Sequence, residues 1–155
     1  MEISRNTGIA HTSTKKNLKV LVKQGIITVE HQKKGVRNFP TYRANLPNKT
    51  YKTYKSISNL QFFNDSGLVE YIEERLAPRS IVLFGSYSRG EDTETSDVDL
   101  FVECKMEAID LAAFEKKLKR KIQLHFSDHF ASYPKELKNN IINGIVLSGY
   151  LEGFK

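Results

Sequence analysis

Two aspartates, Asp97 and Asp99, follow a glycine–serine pair, Gly85 and Ser86, in the pattern Gly-Ser-x3-Gly-x5-Ser-Asp-x-Asp-Leu. Gly85 lets the backbone turn sharply and come close to a ligand. Ser86 can head a short helical turn whose free N–H groups and hydroxyl face phosphate oxygens. Residues two apart on a strand share a face, so both carboxylates leave the same side with Cα atoms roughly 6.6–7 Å apart. Carboxylates pointing one way repel unless a cation lies between them, and Mg²⁺ bound by these oxygens and by substrate phosphates is the usual solution. The plainer alternative is a glycine turn followed by a solvated acidic strand end. The Gly85–Ser86 turn, Ser96 and the apolar flanks weigh against it.

These residues need two strands to hold them. Ser80-Ile81-Val82-Leu83-Phe84 is a continuous apolar run, as expected of a strand covered on both faces, and Asp97 to Val102 opens a second. A helix is predicted from Ser66 to about Leu76, with Leu68, Val69, Ile72 and Leu76 near one face and Pro78 beyond its end. A further helix is expected over about Ala108 to Lys119 and a strand over Lys121 to Phe126. In that strand Ile122, Leu124 and Phe126 alternate inward, leaving Gln123 and His125 on the other face. A last helix from Pro134 to Gly144, with Leu137, Ile141 and Ile142 inward, precedes a short apolar segment.

The first part of the chain differs in charge. Of 24 Lys and Arg in 155 residues, ten fall within residues 1–50 against only Glu2 and Glu30, while the remainder is slightly acidic. Such asymmetry suits a nucleic-acid module joined to something else. A short helix over Ile3 to Thr7 closed by Gly8, a second capped by Thr12 or Ser13 and stopped at Gly25, and a hairpin are predicted. In the second helix Leu18, Leu21 and Val22 form the buried stripe, and Thr12, Lys15, Lys16, Lys19 and Lys23 share the opposite face. The hairpin pairs Ile26–Gln32 with Phe39–Ala44 around a loop carrying Lys33, Lys34 and Arg37. Residues 47–59, with Pro47 and no apolar period, read as a linker, so the expected division is 1–46, 47–59 and 60–155. No apolar run approaches a membrane span, nothing at the start reads as a signal peptide, and Cys104 stands alone. The expected location is cytoplasmic, with no membrane partner.

The Gly-Ser…Asp-x-Asp pattern between two strands resembles the DNA polymerase beta-like nucleotidyltransferase superfamily, most closely its minimal nucleotidyltransferases, over roughly residues 64–149. The resemblance implies an α/β fold with a mixed sheet flanked by helices, and transfer of a nucleoside monophosphate, AMP from ATP foremost, to a macromolecular acceptor. By position, Gly85, Ser86 and Arg89 would bind the nucleotide, and Asp97 and Asp99 would be catalytic and hold Mg²⁺ or Mn²⁺. For Arg89 the alternative is a surface charge beside Glu91 and Asp92. The resemblance also implies a third carboxylate on the next strand, where this chain has Gln123. Glutamine brings no charge and is no base at neutral pH; His125, on the same face, could substitute in part. Relatives of this type are paired with HEPN-domain toxins, which makes such a toxin the expected protein partner.

Residues 2–46 resemble the winged helix-turn-helix family of DNA-binding proteins. That resemblance implies duplex-DNA contacts by Thr12, Ser13, Lys15, Lys16 and Lys19, with Lys33, Lys34 and Arg37 in the wing. The alternative for these lysines is the solvated face of a surface helix. Members of that family carry a helix ahead of the one at Ile3, so an apolar face left without its usual cover is expected here. Two functions are therefore open: a nucleotidyltransferase with a DNA-binding segment, or a catalytically weakened, nucleotide-binding transcriptional regulator or antitoxin-like protein.

Overall fold

The structure, a computed structural model, describes residues 2–35 and 37–152, with the side chains of Lys34 and Arg37 outside the description. Two compact units divide the chain, Met1–Lys52 and Thr53–Lys155.

In the first unit, helix α1 (Glu2–Thr7) stops at Gly8, which is left-handed, and α2 (His11–Lys23) follows. The predicted caps Thr12 and Ser13 are not caps. Ala10 occupies that position, because the left-handed turn at Gly8 starts α2 earlier and leaves both side chains exposed in its first turn. The Thr14 hydroxyl donates instead to the Ala10 carbonyl at 3.1 Å. Leu18 is buried and Leu21 and Val22 are half-buried, while Lys15, Lys16, Lys19 and Lys23 are exposed. Strands β1 (Ile27–Lys34) and β2 (Arg37–Ala44) pair antiparallel, with Lys34 opposite Arg37. The strands therefore extend into the predicted loop 33–38: left-handed Gly35 permits a two-residue connection that keeps Lys33 in the ladder, opposite Asn38. Leu18, Ile26 and Thr14 are the buried side chains of this unit among the described residues, and α1 buries none. A groove of about 730 Å³ is lined by Ile3, Phe39, Pro40 and Tyr42.

Residues expected to form an irregular connector enter a helix instead, α3 (Lys49–Ser66). Asn48, after Pro47, accepts the Tyr51 N–H through Oδ1 at 2.9 Å and caps it. The inward positions Lys55, Ser56, Asn59, Leu60, Phe63 and Ser66 keep helical spacing, but four of the six are polar, so no apolar period marks the segment.

The second unit is built on a four-stranded sheet of order β5-β4-β3-β6. Strand β3 (Ser80–Phe84) is buried along its whole length and pairs antiparallel with β4 (Val98–Val102) and β6 (Ile145–Gly149), and β5 (Ile122–Phe126) runs parallel to β4. Ile81, Leu83, Val98, Leu100 and Val102 face a core shared with Phe63 of α3 and with Leu68 and Ile72 of α4 (Leu68–Leu76). Leu118 of α6 (Ala112–Leu118) completes it. This helix is shorter than expected because Asp110 Oδ1 takes the Ala112 N–H at 2.9 Å and starts it late, and Lys119, left-handed, ends it. On the other face Val82, Phe84 and Phe101 pack against Phe130, in a 3-10 turn, and Ile141 of α7 (Lys135–Ile142). Ile142, expected inward, is exposed, since consecutive helix residues diverge by about 100°. No described helix is long and apolar enough to cross a membrane.

Candidate functional site

The β3–α5 turn and the opening of β4 meet at one point. Phe84, the last residue of β3, is level with Asp99 across the ladder, so Gly85 lies directly against the Asp99 carboxylate. Gly85 has φ +73°, and a Cβ there would stand 2.5 Å from Asp99 Oδ2. Only glycine relieves both the left-handed backbone and the contact. Helix α5 (Gly85–Arg89) follows at once, ending at left-handed Gly90.

Asp97 and Asp99 are both half-buried. Each carboxylate is met by a side chain of β5. Gln123, level with Asp99 in the parallel ladder, donates from Nε2 to Asp97 Oδ2 at 2.6 Å. His125 Nε2 lies 3.3 Å from Asp99 Oδ1, and its ring packs edge-on against Phe84 with centroids 5.1 Å apart. Gly85, Asp97, Asp99, Gln123 and His125 thus lie together, and Ser86 is the next residue of the turn. Arg89 is not held among them: exposed, it bonds Glu91 through Nε at 2.9 Å.

Among the described residues no group of three or more His, Cys, Asp and Glu side chains is gathered as for a metal ion. The pair Asp97 and Asp99 nevertheless fits a hard divalent cation that draws its other oxygens from a ligand, and Gly85 leaves the space beside Asp99 that a Cβ would fill.

Several polar side chains behind the turn escape a reading by sequence. Asp92, 6% exposed, accepts from Asn59 Nδ2 at 2.8 Å and pairs with Lys55 Nζ at 3.1 Å. The same Asn59 amide donates to the Tyr87 carbonyl at 3.0 Å, and Ser56 Oγ donates to the Ser88 carbonyl at 2.7 Å. The only available signal was the spacing of Lys55, Ser56 and Asn59 on one helical face. Burial pushes the Tyr87 phenol above its usual pKa, partly opposed by the nearby Arg120 guanidinium, and keeps it protonated at neutral pH. Burial likewise raises the Cys104 thiol, which keeps it protonated and poorly nucleophilic.

The residues expected at DNA fall on the first unit. Thr12, Ser13, Lys15, Lys16 and Lys19 are exposed along α2, and Lys33 is exposed on β1. The side chains of Lys34 and Arg37 lie outside the described residues.

Comparison with known proteins finds a match between residues 66–147 and the model of a family described as a nucleotidyltransferase domain. Two proteins of Methanocaldococcus jannaschii, provisionally named protein adenylyltransferases, are each 53% identical to this chain over 32 residues. The matched stretch is 21% of this chain and 32% and 37% of theirs, so the match spans about a third of the length of these curated relatives. No solved structure matches the chain.

Proposed function

Because the chain belongs to the nucleotidyltransferase domain family, matched over more than half its length, we propose that it transfers a nucleoside monophosphate, AMP from ATP, to a macromolecular acceptor. The observation carrying this reading is the close approach of the left-handed Gly85 backbone to the Asp99 carboxylate, which brings a glycine–serine turn and an Asp-x-Asp pair to one place. The names of the M. jannaschii relatives favour adenylyl transfer to protein. A partner protein such as a HEPN-domain toxin is the acceptor class proposed, and the cytoplasm the proposed location.

In this reading the Gly85–Ser86 turn binds the β and γ phosphates, and Asp97 and Asp99 hold Mg²⁺ or Mn²⁺. When bound, the cations supply neutralisation of the attacking and leaving oxygens. An acceptor hydroxyl oxygen bonds to the α phosphorus, the bond to the bridging oxygen breaks in line, and pyrophosphate leaves. Gln123 cannot take the acceptor's proton at neutral pH, so that proton falls to His125 or to solvent. Incubation with Mg²⁺, α-labelled ATP and candidate acceptors tests the reading: label transfer that Asp99→Ala abolishes supports it.

One contact favours a second reading. The Gln123 amide already occupies an oxygen of Asp97 and contributes no charge, as suits a nucleotide-binding regulator with weakened catalysis. Mg²⁺-dependent ATP binding without any label transfer selects it. In either case residues 1–46 are proposed to act as a winged helix-turn-helix-like segment on duplex DNA, supported by the exposed lysines of α2. If about five phosphates are neutralised, log affinity falls against log salt with a slope of about −4 to −5. Binding that ignores salt removes this module from the proposal.

A further inference from the structure

Helix α5 has five residues, too few to stand alone in water, since nucleating a first turn costs more than its hydrogen bonds return. What secures it is largely side-chain chemistry. The Ser88 hydroxyl donates to the Gly85 carbonyl at 3.0 Å, and Glu91 N–H to the Ser86 carbonyl at 2.9 Å. The Tyr87 and Ser88 carbonyls are taken by Asn59 and Ser56 of α3. Asn59 is itself oriented by Asp92, which Lys55 anchors through both its carboxylate and its backbone carbonyl. None of these contacts is made to Asp97 or Asp99.

We propose that Ser56, Asn59 and Asp92 are positioning residues of the nucleotide site, gripping the Tyr87 and Ser88 carbonyls from behind and so fixing the Gly85–Ser86 turn against Asp99. This rests on the nucleotide reading given above. Gly85 has little freedom to drift, because its Cα hydrogen already faces the Asp99 carboxylate, so small shifts of α5 change the space between turn and aspartates directly. The clasp uses charge and hydrogen bonds in a half-buried setting, where an unmatched partner is costly. Removing one member therefore loosens the turn rather than letting it repack.

The test uses the full chain and titrates Mg²⁺ with a non-hydrolysable ATP analogue. Asn59→Ala and Ser56→Ala are expected to weaken binding about fivefold to tenfold, each losing a hydrogen bond that orders the site. Ser56→Thr, which keeps the hydroxyl, is expected to bind like the unmodified chain. Glu103→Gln is the control for stability alone. Glu103, buried at the opposite end of the sheet, accepts from Phe130 N–H at 3.0 Å and Ser80 Oγ at 3.1 Å, so this change should lower Tm and leave affinity within twofold. The amide resonances of Gly85 and Ser86 should shift in Asn59→Ala and stay in place in Glu103→Gln. An Asn59→Ala chain that folds and binds within twofold of the unmodified chain overturns this proposal alone. An unmodified chain that binds no Mg²⁺–nucleotide overturns the nucleotide reading and takes the proposal with it.

Discussion

Strands β4 and β5 run side by side in the same direction, with Asp99 level with Gln123, yet they equip the site in opposite ways. β4 and the residue that leads into it bring charge, through carboxylates at Asp99 and Asp97. β5 brings a neutral amide and an imidazole, each hydrogen-bonding one of those carboxylates. A β4-type edge can gather cations and phosphates, whereas the β5 edge can orient the carboxylates but adds no anion. In the proposed reaction, the charge that would hold a cation comes from one strand and the groups that orient it from the other.

The largest effect should come from β4. Asp99→Ala removes a carboxylate that no neighbour replaces, and transfer should fall about 10³-fold in the labelled-ATP assay. A loss under tenfold would mean that β4 does not dominate. Next comes the reverse change on β5: Gln123→Asp places a third carboxylate beside Asp97 and Asp99 and should raise transfer about 10²-fold. No gain, with ATP binding intact, would show that β5 limits nothing. Gly85→Ala tests the space between the strands and the turn. Its left-handed backbone costs about 1–2 kcal/mol with a Cβ, and its methyl group would displace Asp99. Nucleotide affinity should drop about tenfold, and Tm by roughly 4–8 °C per kcal/mol; unchanged affinity would separate Gly85 from the site. Arg89→Ala should do least. Its exposed pair with Glu91 contributes about 0–1 kcal/mol, and nucleotide affinity should stay within twofold. A tenfold loss would bring Arg89 into the phosphate site after all.

Much of the second unit can be read in the amino acids alone because its strands are apolar or alternate cleanly. The run Ile81 to Phe84 and the alternation of Ile122, Leu124 and Phe126 mark strands, and that alternation puts Gln123 and His125 on one face. Helix α3 escapes the same logic. Its contact face carries Lys55, Ser56 and Asn59, which satisfy backbone carbonyls and a buried carboxylate, so a search for apolar periodicity passes over it. Strand β6 escapes for another reason. Val82 and Val146 are level in the ladder, and nothing local to Ile145–Gly149 announces a partner so distant in the chain. Within the site, the aspartate spacing and Gly85 are legible because each obeys a local rule of geometry. Asp92 is illegible, since its place depends on a helix the pattern does not disclose. The capping error in the first unit is of the same kind: Thr12 and Ser13 are good cap residues by type, but the left-handed turn at Gly8 settles where α2 starts.

The long-range pairing of β3 with β6 also bears on synthesis. β3 emerges from the ribosome well before its second neighbour and waits with one flank unpaired until Gly149 has been made; the backbones then close so tightly that a Cβ on Gly149 would lie 1.9 Å from the Arg79 carbonyl oxygen. The sheet is therefore completed after translation has passed the last strand, and a nascent chain stalled before Ile145 exposes a sticky apolar ribbon to chaperones and to other copies of itself.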